Sequence, residues 1–177
     1  IIVLLVVVVK YAMKDANTLT DVADGKTTQT IEASKLASSS SSNSASNFSY
    51  SIWFYIDDWN YRYGEEKVVF GRMVAGSKPL QPCPSVILGA LENNIIVSQT
   101  VFPGLDTAPT SGSTSNTITH RCAVANVPIQ KWVNLIVSVY GRSMDLYIDG
   151  KLVRTCLLPG VASVNNAANV YVTPMGG

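Results

Sequence analysis

The sequence predicts an all-β domain: an antiparallel sandwich of two sheets. Three observations carry that prediction. Residues 131–160, KWVNLIVSVYGRSMDLYIDGKLVRTCLLPG, read as three consecutive strands with both turns legible. Their side-chain period is 2 throughout, the mark of antiparallel sheet with one buried face. From residue 47 onward, many short strand-like runs recur between turn signals, the spacing of a two-sheet architecture.

The elements follow in order. Ile1–Val9 is an uninterrupted aliphatic run closed by Lys10, with Lys14 beyond it. A membrane-crossing helix needs about 20 apolar residues. Residues 1–14 are therefore expected to be the end of a transmembrane anchor that begins further upstream. The competing reading is an N-terminal core strand, because short apolar runs are ambiguous. Residues 15–46 are polar and contain the run Ser38-Ser39-Ser40-Ser41-Ser42. They read as a Ser-rich linker, with a short helix near 30–37.

Residues 47–177 form the predicted sandwich. Strands are expected near 48–56, 67–71, 85–91, 95–101, 117–124, 132–140, 144–149, 151–157 and 169–173. Glu92-Asn93-Asn94 is a plausible hairpin turn. Residues 102–115 are a loop rich in Pro, Gly, Ser and Thr. In 132–140, Val133, Leu135, Val137 and Val139 alternate with Asn134, Ile136, Ser138 and Tyr140. Met144, Leu146 and Ile148 continue the pattern, and Asp149-Gly150 is a two-residue turn in which both positions tolerate positive φ. Trp53 and Trp132, both in strongly alternating strands, are expected in the core.

Composition narrows the function classes. Charged residues make up 14% of the 177-residue chain, against about 25% in ordinary soluble domains. A surface so poor in charge argues for burial against partners or a membrane. The net charge is +1 and no basic cluster exists, so the chain lacks the electrostatic footprint of a nucleic-acid binder.

Candidate chemistry is sparse. Asp145 and Asp149 share a strand face, but Asp149 is explained by turn formation. His120, the one histidine, shares a face with Cys122, which is too few ligands for zinc. The Gly-x-Ser-x-Gly elbow of the hydrolases is missing. The odd count of three cysteines argues against a complete disulfide framework. Cys122 and Cys156 both lie in predicted strands, leaving open either a bridge between them or buried free thiols. The densest acidic cluster is Asp57, Asp58, Asn60, Glu65 and Glu66. Trp59, Tyr61 and Tyr63 lie between these residues and form the candidate interface, because exposed aromatics are enriched where proteins bind. Asn47-Phe48-Ser49 is a glycosylation sequon, relevant only in a secretory lumen.

Two blocks also carry a resemblance: FSYSIWFYID at 48–57, and Trp132 followed by LYIDGKLV. Together they resemble the concanavalin A-like jelly roll of laminin-G, pentraxin and legume-lectin type, over roughly residues 47–177. The stretch from Asn126 to Gly160, behind a hydrophobic anchor, looks most like proteins of large DNA viruses that infect algae and amoebae.

The resemblance implies a non-enzymatic protein, since the Glu-x-Asp-x-x-Glu pattern of the family's glucanases is absent. It implies a minor capsid or membrane-associated virion component, with the β-domain between inner membrane and capsid. The partners would be capsid or other virion proteins, and the membrane through the N-terminal segment. The alternative is a lectin-like, carbohydrate-binding module on a cell or virion surface. No cofactor is expected from the residues; calcium is the cation that lectin-type relatives imply. In such domains a last strand returns beside the first. Here that strand is expected either to be missing after Gly177 or to be supplied by another chain.

Overall fold

The computed structural model describes residues 18–36, 47–73, 81–106 and 116–174. The expected anchor at 1–14 and the Ser-rich run at 38–42 lie outside the described residues. Among the described residues no helix is long and apolar enough to cross a membrane.

Among the described residues eleven strands form two antiparallel sheets: β1 (Gln29–Ile31), β2 (Phe48–Tyr55), β3 (Lys67–Met73), β4 (Ser85–Leu88), β5 (Ile95–Pro103), β6 (Ile118–Val124), β7 (Trp132–Tyr140), β8 (Ser143–Ile148), β9 (Lys151–Leu157), β10 (Gly160–Ala162) and β11 (Asn169–Val172). The smaller sheet runs β2-β7-β8-β9. The larger runs β1-β11-β3-β4-β5-β10, with β6 also paired to β5. Val101 pairs with both Ala162 and Ile118, so β10 and β6 flank opposite edges of β5.

Period-2 patterning decides which faces meet. Val133, Leu135, Val137, Val139, Met144 and Leu146 are fully buried on the inner face of the smaller sheet. Across from them Phe70, Val86, Ile95, Val97, Val101 and Val170 line the larger one. Each buried aliphatic side chain contributes about 1.5–3 kcal/mol relative to exposure, which makes this interlayer the main source of stability. A disulfide joins Cys122 on β6 to Cys156 on β9, Cα atoms 6.3 Å apart, and so staples one edge of each sheet to the other.

Three features differ from the sequence reading. Trp53 and Trp132 are 62% and 50% exposed, so they are not core residues. The parity of their strands explains this. Phe48, Tyr50, Ile52 and Phe54 take the inner face of β2, and the valines with Leu135 take that of β7. One step of sequence turns each tryptophan to solvent. Second, the sandwich begins before residue 47. β1 pairs with β11 through Gln29↔Val172 and Ile31↔Val170, and Ile31 and Leu36 are buried. The helix read near 30–37 is a single 3₁₀ turn, Ala33–Lys35. Third, β10 was not legible in the sequence: at three residues it is too short to show alternation.

Candidate functional site

Strands β2, β4, β6 and β8 all end at the same end of the sandwich, so their following loops gather there. The loop after β2 carries the candidate aromatics. Asp58 Oδ1 accepts from Asn60 N–H at 2.9 Å, which starts a turn. The Tyr63 N–H donates to the Asn60 carbonyl at 3.2 Å, and Gly64, at φ +88°, ties the loop to the Ala90 carbonyl at 2.9 Å. Only glycine adopts that φ without strain.

This loop separates the three aromatics. Trp59 is half-buried against the core, its indole Nε1 enclosed and without an acceptor. Tyr63, 61% exposed, stands beside it. Tyr61 turns away, and its ring lies 5.7 Å from Lys26 Nζ, a cation–π contact.

Trp59 and Tyr63 share an open cleft of about 500 Å³ with Asn60, Leu91, Glu92, Asn93, Asn94, Ala125 and Asn126. Its far wall comes from the loops after β4 and β6, which bond to each other. The Val127 N–H donates to the Asn93 carbonyl at 2.9 Å, and Asn93 Nδ2 donates to the Val127 carbonyl at 3.2 Å. Asn94 Oδ1 is buried without a partner, and a Cβ on Gly89 would overlap it. A second open cleft of about 430 Å³ adjoins the first at Ala125 and Asn126. It continues past Pro128, Ile148, Asp149, Lys151, Val153 and Arg154. The composition of the first cleft is specific: two aromatic faces, four asparagines and one carboxylate, Glu92.

The other candidates are dispersed. Asp149 Oδ1 accepts from the Asn134 N–H at 2.9 Å and Oδ2 from Lys131 Nζ at 3.1 Å. Those bonds hold its carboxyl below the usual carboxylate range. Asp145 accepts from Thr155 Oγ1 at 2.7 Å. Both carboxylates thus serve the β7-β8-β9 ladder. Glu65 pairs with Arg62 at 2.6 Å and Glu66 with Arg121 at 2.7 Å. Asp58 Oδ1 is taken by its own turn. Among the described residues no group of three His, Cys, Asp or Glu could hold a metal. His120 lies on β6 opposite Gln99, and the sulfur of its neighbour Cys122 is committed to the disulfide. Cys83 is free, and burial pushes its thiol up, only partly offset by hydrogen bonds from Ser163 and Asn165. Asn47 is exposed, its Oδ1 accepting the Gly141 N–H at 2.8 Å.

The pairing of Trp59 with Asn93 and Asn126 had no signal in the sequence, since it depends on three strands ending together. The aromatic spacing in 59–63 was the legible half.

The fold is a two-sheet antiparallel jelly-roll sandwich, and its loop end presents an aromatic, amide-lined cleft. No family model matches the sequence, and no curated protein matches it. Solved structures do share the fold. The binding domain of botulinum neurotoxin serotype D is similar with a TM-score of 0.54 at 14% identity, over 82% of this chain and 31% of that one. The serotype D/C binding domain gives 0.50 at 15% identity, over 76% and 30%. The chain therefore spans under a third of the length of the neurotoxin chains it matches.

Proposed function

We propose that this domain is a non-catalytic recognition module whose loop-end cleft takes a carbohydrate. The observation that carries the reading is the cleft's lining. Trp59 and Tyr63 offer aromatic surface on which the C–H face of a sugar packs. Asn60, Asn93, Asn94 and Asn126 offer the mixed donors and acceptors that a neutral polyhydroxyl ligand requires. One carboxylate, Glu92, does not make the acid–base pair that glycoside hydrolysis demands. The like-folded neurotoxin domains are themselves binding domains.

The Cys122–Cys156 bridge supports a compartment outside the cytosol, where disulfides persist. That fits a module displayed on a cell or virion surface. No cofactor is assigned, because Glu65 and Glu66 are paired with guanidinium groups. A glycan array probed with and without a chelator tests the reading. Binding that survives chelation supports it, and an array without a hit defeats it.

A second reading keeps a tethered structural role in a virion, with a capsid or other virion protein as partner and residues 1–14 as anchor. It is favoured by an aromatic patch on the outer face of the smaller sheet, where Trp53, Tyr55 and Trp132 lie exposed. Partition of the full chain into detergent, and retention of virion protein by that face, would support it over the glycan reading.

A further inference from the structure

The smaller sheet ends on one side at β2, and among the described residues no strand pairs with the other edge of β2. Which backbone groups that edge offers follows from the ladder. Asn134 N–H donates to Asp149 Oδ1, and the Asn134 carbonyl accepts from the Asp149 N–H. Even-numbered residues of β7 therefore point toward β8, and odd-numbered ones toward β2. The register pairs Val133, Leu135, Val137 and Val139 with Phe54, Ile52, Tyr50 and Phe48. The even-numbered residues of β2 are thus used by β7, and the Ile56 carbonyl, accepting from Gln130 N–H at 2.7 Å, agrees. The N–H and C=O groups of Ser49, Ser51, Trp53 and Tyr55 face outward along the open edge.

Exposed edges are ordinarily protected by lysines, prolines, bulges or short length. β2 has none of these. Its eight residues, FSYSIWFY, contain no charge and no proline, and the register with β7 runs unbroken. Its inward side chains Phe48, Tyr50, Ile52 and Phe54 stay partly exposed, whereas their β7 counterparts are buried to 1% or less. The core is incompletely covered along this edge.

We propose that a second copy of this chain covers it, β2 against β2 about a two-fold axis. Antiparallel partners must share a face, so the two residue numbers of each pair sum to an even number. A two-fold centred on Ile52 uses all four outward residues. It sets Ser51 opposite Trp53 and Ser49 opposite Tyr55 on the outer face. On the inner face it sets Ile52 opposite itself and Tyr50 opposite Phe54. Each bulky outer side chain meets a serine, and no charge meets a like charge. The contact is isologous and closed, and the two four-stranded sheets become one continuous sheet.

The test uses the full chain in mild non-ionic detergent. Sedimentation should give twice the protomer mass, with dissociation on dilution. Ser51→Pro removes one outward N–H while leaving the β2–β7 ladder intact, as proline is tolerated on an edge. It should sediment as a monomer with an unchanged far-ultraviolet spectrum. If that variant fails to fold, amide exchange of the wild type decides. The Ser49, Ser51, Trp53 and Tyr55 amides should be protected when concentrated and exchange quickly when dilute. A monomer at every concentration overturns the proposal. So does a dimer with those amides unprotected. A monomer with them protected would mean that the covering strand comes from the same chain, and would overturn it as well.

Discussion

At φ +50°, Asp149 opens the turn after β8, accepts the Asn134 N–H and pairs with Lys131. The backbone donor first, and Lys131 second, keep its carboxyl ionised to lower pH than usual. Folding therefore favours its charged form. That contribution is fully present above the unfolded value of about 3.9 and fades as pH falls through the lower folded value. Asp149→Asn keeps a turn-forming residue but removes the charge. Urea melts should show a stability deficit at neutral pH that disappears in acid. The exposed tryptophans make a second residue-scale prediction. Trp53→Ala and Trp132→Ala should each cost under about 1 kcal/mol, while Leu135→Ala, buried completely, should cost about 2–5 kcal/mol in the same melts. A large loss at either tryptophan would mean that it packs inside.

Among the elements, β9 is the edge most dependent on a covalent tie. Six of its seven residues are exposed, and Cys156 fastens it to β6 across the sandwich. Closing a 34-residue separation stabilises by about 3–4 kcal/mol on the chain-entropy account. Reduction, or Cys122→Ser with Cys156→Ser, should lower the unfolding free energy by that much. β10 is held by close approach instead. A Cβ at Gly160 would overlap the Phe102 carbonyl oxygen, so Gly160→Ala should destabilise by about 1–3 kcal/mol and loosen β10 from β5. The long strands were legible in the sequence because their inner faces are purely aliphatic, as in Val133–Val139 and Met144–Ile148. β1 and β10, at three residues each, were not. Nor was the outward parity of Trp53, because β2 carries large apolar groups on both faces. The disulfide was one of two open readings. It forms because β6 and β9 are the edges that the two sheets turn toward each other.

At the scale of the whole molecule, the sandwich acts as a rigid frame that brings four loops to one end. Trp59 is held against the core and the Gly64–Ala90 bond anchors the backbone next to Tyr63, so the cleft's walls rest on the sandwich. Preorganisation of that kind lowers the entropy cost of binding. Tyr63→Ala removes exposed aromatic surface and should weaken glycan binding about tenfold, the equivalent of 1.4 kcal/mol, without altering the melt. The central claim, that recognition occurs at this end, is tested most directly by amide chemical-shift mapping during titration with the best oligosaccharide from the array. Saturable shifts should concentrate at Trp59, Tyr63, Asn93, Asn94 and Asn126, and be absent from the outer face around Trp53 and Trp132. Shifts confined to that outer face, or no saturable shift with any glycan, would contradict the account.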